Sequence, residues 1–153
     1  MKKVIIIRYG ELFLKGKNRN YFESVCINNM RTALGDMEYT LIKRGGRFYL
    51  QDFDEYDAPE LVERLKKVFG IHSMSVAIET ANDMQSIFEA AKTVCRSEGT
   101  FKVDAHRGDK RYPKTSVEIA KELGGMLLAT YHSLKVDVHT PSFTVNVDIR
   151  ENG

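Results

Sequence analysis

The sequence predicts an α+β chain of two domains, and three observations carry that prediction. Short β-branched runs alternate with stretches whose apolar residues recur at helical spacing. Glycines, prolines and capping residues punctuate these runs where elements should start and stop. The order of elements changes near residues 77–82, which predicts domains at 1–78 and 79–153, although a fold-level boundary of the second could be drawn from about residue 60.

Residues 3–8 are short and β-branched, so they predict a strand buried on both faces. Asn18 can cap a helix running to about Leu34, with Gly35 as its stop. Phe22, Val25, Cys26, Met30, Ala33 and Leu34 form its expected buried side. Residues 38–43 and 47–52 flank Arg44-Gly45-Gly46, a hairpin signal because glycine tolerates positive φ. Asp57 should cap a second helix with Pro59 in its first turn and Gly70 at its end. Residues 72–79 supply a fourth strand. Strand, helix, strand, strand, helix, strand is the ferredoxin-like βαββαβ arrangement.

In the second domain, Asp83 should cap a helix with Met84, Ile87, Phe88, Ala91, Val94 and Cys95 on one face. Gly99 stops it, and 100–105 is a strand. Thr115-x-x-Glu118 has the form of a capping box. The helix behind it should bury Val117, Ala120, Leu123, Leu127 and Leu128, and Gly124-Gly125 suggests close backbone packing there. Residues 135–138 and 143–149 are strands around the turn Thr140-Pro141-Ser142.

No apolar run approaches the ~20 residues that span a bilayer. The chain is therefore expected to be cytoplasmic, with no membrane partner. Cys26 and Cys95 are too far apart for a metal spacing and are expected to be small buried residues. His72, His106, His132 and His139 share no ligand spacing. No phosphate loop, nucleophile elbow or H-E-x-x-H motif is present.

A net charge of +2 over 153 residues is too small to argue for any polyanionic partner, so the distribution must decide. Residues 1–19 hold six Lys or Arg against the single acid Glu11, whereas 51–60 hold five acids and no cation. Segregation of this kind favours one positive face. Arg8-Tyr9-Gly10 opens a glycine-bearing loop that continues through Lys15, Lys17, Asn18 and Arg19 into the first helix, whose N-terminal amides favour anions. Lys43, Arg44 and Arg47 surround the hairpin as secondary phosphate contacts. Beyond Lys102 comes a second cluster of His106, Arg107, Lys110, Arg111, Tyr112 and Lys114. Its cations suit phosphates, while His106 and Tyr112 suit stacking on unpaired bases. A turn with solvated lysines and a charged surface loop remain the plain alternatives for the two clusters.

These residues also carry a resemblance. Arg8-Tyr9-Gly10-Glu11 with Lys15-Gly16-Lys17-Asn18-Arg19 comes first, followed by Phe69-Gly70-Ile71. His106-Arg107 with Pro113, Glu118 and Gly124-Gly125 comes next, and Val136-Asp137-Val138 leads to Val147-Asp148-Ile149-Arg150. The ordered set resembles the N-terminal part of the bacterial tRNA 4-thiouridine synthetases, also called tRNA or thiamine biosynthesis sulfurtransferases. The resemblance implies a ferredoxin-like domain followed by an α/β THUMP domain, which together hold the tRNA acceptor stem and 3′ CCA end. It implies 4-thiouridine formation at tRNA position 8, a link to thiamine thiazole synthesis, and sulfur received from a cysteine desulfurase. Catalysis with ATP and Mg is implied for a further domain bearing an S-G-G-x-D-S motif, which this sequence lacks. The chain alone is thus expected to be non-catalytic and to hold no cofactor. The family's next strand is also missing, so the edge at 143–149 leaves a homodimer open. A stand-alone RNA-binding or protein-interaction module is the rival reading. A small acylphosphatase-like hydrolase fits less well, for want of its glycine-rich loop.

Overall fold

The computed structural model describes residues 2–10 and 19–150. The chain divides into two compact units, Lys2–Ile78 and the residues from Glu79 onward.

In the first unit, β1 (Lys2–Tyr9), β2 (Thr40–Arg44), β3 (Arg47–Gln51) and β4 (Ile71–Glu79) form one sheet in the order β2-β3-β1-β4. β3 is antiparallel to both neighbours, with Ile5 opposite Leu50 and Ile7 opposite Phe48. Helices α1 (Arg19–Leu34) and α2 (Ala58–Leu65) complete the βαββαβ order. Side chains alternate along a strand, so Ile5, Ile7 and Tyr9 of β1 enter the core together with Phe48 and Leu50 of β3. Met30, Leu34, Leu61 and Leu65 meet them from the helices. On the opposite face Val4 is buried but Ile6 and Arg8 are only half-buried, so the cover expected on both sides of β1 holds at Val4 and thins beyond it.

The buried stripe of α1 is Glu23, Cys26, Met30 and Leu34. Val25 is exposed, and Glu23 takes an inward place that was expected to be apolar. Gly35, at φ +63°, ends the helix, and the Leu34 carbonyl accepts from Arg64 Nη1 at 2.9 Å and from the Met37 amide at 3.3 Å. Asp57 stands at the start of α2 but makes no side-chain cap. Asp54 does the capping one turn earlier, accepting from the Tyr56 amide at the head of a 3₁₀ turn.

Gly45 and Gly46 join β2 to β3 at φ +58° and +78°. A β-branched residue there meets its own backbone although no neighbour crowds it. Gly46→Val should therefore lower the unfolding free energy by about 1–3 kcal/mol, whereas Gly45→Asn should lower it far less. Urea midpoints measure both, and equal midpoints would show that the turn can change type freely.

In the second unit, β5 (Glu98–Arg107) lies between β6 (Ser133–Val136) and β7 (Phe143–Ile149), and both pairings are parallel. β6 pairs with the first part of β5 and β7 with the remainder, the two meeting at Phe101. Helices α3 (Met84–Val94) and α4 (Ser116–Thr130) contribute Ile87, Phe88, Ile119, Leu123 and Leu127 to the core. Phe143, Val145, Val147 and Ile149 all reach that core, as their alternation predicts. Val94 and Val117, expected inside, are exposed at opposite ends of their helices. Ala120 and Leu128 are half-buried. Gly125 has open space where a Cβ would be, and a Cβ on Gly124 would only touch Val103 at 3.9 Å, so the glycine pair is not a forced close approach.

Candidate nucleic-acid interface

Each unit carries its own basic region. In the first, Lys15, Lys17 and Asn18 lie outside the described residues. The chain on either side of that stretch is firmly held. Gly10 donates its amide to the Gly70 carbonyl at 3.0 Å. Tyr9 and Arg19 both reach Glu23: the Tyr9 hydroxyl donates to Oε1 at 3.0 Å and Arg19 Nε to the same oxygen at 3.1 Å. Lys43 Nζ pairs with Glu23 Oε2. Glu23 is the one charged residue in the buried set of the described residues, at 6 % exposure.

Burial works against the Glu23 charge, but hydrogen bonds from Lys43, Arg19 and Tyr9 outweigh it and hold the carboxyl below its ordinary range. Burial, with the hydrogen bond to Glu23, pushes the Tyr9 phenol up. Arg19 and Lys43 therefore serve an internal carboxylate first, although both remain partly open to water. Arg8 donates to the Ser75 hydroxyl at 2.9 Å across the sheet. Arg44 lies over the Tyr49 ring at 5.7 Å, and Arg47 faces it in the hairpin register.

In the second unit, Lys102, His106 and Arg107 sit on β5, opposite Thr144, Asp148 and Ile149 of β7. The loop 108–114 then leaves the C-terminal end of the parallel sheet, held by the Gly108 amide on the Ile149 carbonyl at 2.8 Å. Its far end runs into Thr115, the cap of α4. Its middle reaches the start of α3, where the Tyr112 hydroxyl donates to the Asn82 carbonyl at 2.5 Å. The loop thus joins the carboxyl ends of the strands to the amino ends of two helices, the end of such a sheet where ligands commonly sit. Both helix ends are already served by carboxylates. Asp83 accepts from Ser86, and Thr115 and Glu118 form the expected capping box. Attraction for phosphate at this end therefore falls to side chains.

Those side chains differ in how they are engaged. Arg107 Nη1 donates to the carbonyls of Tyr112 and Lys114. Arg111 makes two contacts to Asp109, at 3.0 and 3.1 Å, and its guanidinium holds the Asp109 carboxyl below its ordinary range. Lys114 pairs with Glu122 on α4. Tyr112 packs its ring against the second core, so stacking on a base would compete with that packing. His106 and Lys110 are exposed. The sequence signalled the cluster but not these engagements, and it gave no sign of the Glu23 network beyond the Arg19–Glu23 spacing of one helical turn. Among the described residues no three His, Cys, Asp or Glu side chains gather as a metal site would need. No helix among the described residues is long and apolar enough to cross a membrane.

Comparison with known proteins places these two regions in a family. Residues 4–75 match the ThiI ferredoxin-like domain, and residues 81–153 match the THUMP domain. A probable tRNA sulfurtransferase of Caldanaerobacter subterraneus is 42% identical over 154 residues, covering 99% of this chain and 40% of that protein. A probable tRNA sulfurtransferase of Alkaliphilus oremlandii is 40% identical over 159 residues, with the same coverage. A crystal structure of a 4-thiouridine synthetase in complex with RNA and bound ATP superposes with a TM-score of 0.85 at 34% identity, over 100% of this chain and 40% of that one. The chain spans about two fifths of the length of the curated relatives it matches. With both domain types present in order, the chain belongs to the tRNA sulfurtransferase family and corresponds to its N-terminal ferredoxin-like and THUMP part.

Proposed function

We propose that this chain is the tRNA-binding region of a tRNA sulfurtransferase and that it holds the acceptor stem and the 3′ CCA end. The observation that carries this reading is the cationic stretch 106–114, the end of β5 and the loop after it, set where parallel strands end and two helices begin, within a THUMP domain. The 4-thiouridine synthetase that the chain resembles was crystallised with RNA. Lys102 and Lys110 would neutralise phosphates and His106 would hydrogen-bond a phosphate or stack on an unpaired base, with Arg44 and Arg47 as further contacts in the other unit. Phosphate contacts of this kind supply affinity and position but carry no sequence information. The duplex stem would be recognised by shape, because an A-form major groove is too narrow for side chains.

In the whole protein this binding would present uridine 8 for thiolation, with sulfur passed on from a cysteine desulfurase and a connection to thiamine synthesis. ATP, which that relative binds, finds no fitting residues in the described part of this chain: no glycine-rich phosphate loop and no carboxylate cluster for its magnesium. No step through a nucleotide is therefore assigned to these residues.

Filter binding of labelled tRNA tests the reading. Affinity should fall steeply with salt, and removal of the CCA end should weaken binding several-fold. Binding no tighter than the ~10⁻⁴–10⁻⁶ M typical of non-specific nucleic-acid contact, or equal affinity for a protein-sized polyanion such as heparin, would overturn it.

A further inference from the structure

The cations of the 107–114 loop do different jobs. Arg107 extends from the end of β5 and places one nitrogen, Nη1, on two carbonyls of the loop, those of Tyr112 at 3.2 Å and Lys114 at 3.4 Å. Both bonds turn the guanidinium back onto its own loop, which fixes its orientation there. Tyr112 adds a second tie, from its hydroxyl to the Asn82 carbonyl just before α3, while its ring rests on the second core. Lys114 is paired with Glu122. Lys110 lies at the exposed part of the loop and engages no described residue.

We propose that Arg107 and Tyr112 are positioning residues, which fix the loop so that Lys110 meets an RNA phosphate, and that neither touches the RNA itself. The proposal rests on the tRNA-binding reading and deepens it. A loop that must be ordered on binding subtracts its lost freedom from affinity, whereas a loop already tied at both its base and its middle has little left to lose. Arg107 suits the base of the loop because a planar guanidinium can serve two acceptors at fixed angles, which an ammonium cannot do as well. Tyr112 suits its middle because one end of the side chain is apolar and the other is a donor.

Three variants separate positioning from contact. Tyr112→Phe keeps the ring and the charge and removes only the tie to Asn82. It should weaken tRNA binding by about fivefold, the worth of one ordinary hydrogen bond, at an unchanged salt slope. If Tyr112 stacked on a base instead, phenylalanine would bind as well as tyrosine. Arg107→Lys keeps the charge and loses the double tie, and it too should weaken binding without changing the slope. Lys110→Ala should reduce the magnitude of the log–log slope by ~0.7–0.9, the signature of one lost phosphate. Hydrogen exchange of the free proteins completes the set: amides in 108–114 should exchange faster in Tyr112→Phe and Arg107→Lys but not in Lys110→Ala. Unchanged exchange and unchanged affinity in the first two variants would overturn the proposal alone. Failure of the unaltered chain to bind tRNA would overturn the functional reading and this proposal with it, even if exchange showed the ties to be real.

Discussion

Phe101→Ala should lower the unfolding free energy of the second unit by about 3–5 kcal/mol. Phe101 is fully buried and stacks on Phe143 with ring centroids 5.8 Å apart. It is also the residue of β5 that pairs with both Val136 and Phe143. The small three-stranded sheet therefore has one residue at which both of its pairings and its core converge. The Asp137 amide on the Phe101 carbonyl, at 2.9 Å, ties the connection between β6 and β7 to the same point. Phe101→Leu keeps most of the volume and should cost well under half as much. Calorimetry or denaturant unfolding followed within the second unit measures both. Similar losses for the two variants would mean that ring stacking, rather than filled volume, dominates at this site.

Glu23→Gln should lower the unfolding free energy of the first unit by about 1–3 kcal/mol at neutral pH, the range for hydrogen bonds to a charged group. Glutamine keeps the shape but weakens the contacts from Arg19 and Lys43. The loss stays moderate because both cations retain access to water. The pH dependence gives the sharper test. The Glu23 carboxyl is held below its ordinary range in the folded state, so its stabilisation is present above the unfolded value of ~4.3 and fades as pH falls through the folded value. The Gln variant should lack that part of the acid limb. Tyr9 behaves oppositely: its raised phenol stabilises the fold below its unfolded value of ~10, and that contribution is lost as pH rises through the folded value. An acid limb identical in the Gln variant and the unaltered chain would show that Glu23 does not govern it.

Much of the architecture was legible because it is written locally. The Thr115–Glu118 box, the Asp83 cap and the Gly45-Gly46 turn each depend on residues a few positions apart, and each appears as expected. The strand 143–149 was legible for the same reason. What could not be read depends on distant partners. Glu23 is buried because Tyr9 and Lys43 arrive from other elements, 14 and 20 residues away, and no periodicity in α1 announces that. Val25 was misplaced with it, since a helix that turns Glu23 inward turns Val25 out. Val117 and Val94 occupy helix ends, where an apolar residue can overrun the core it appears to belong to. The candidate site followed the same division. Its cations stand out in the sequence, but whether a cation faces solvent or braces a loop is decided by the carbonyls of Tyr112, Lys114 and Asn82.

The parallel pairing of β5 with both β6 and β7 also sets an order of assembly during synthesis. The first unit has all four of its strands once Glu79 has left the ribosome. β5 emerges next, yet both of its partners follow α4, and neither can pair until that helix has been made. The second unit therefore closes only when Ile149 is available. That is roughly 70 residues after the first unit is complete, or ~4–14 s at translation rates of ~5–20 residues per second. Through that interval the apolar face of β5 and the helices around it have no completed sheet to join. A nascent chain stalled near residue 130 should be protected from protease through the first unit and open to cleavage beyond it.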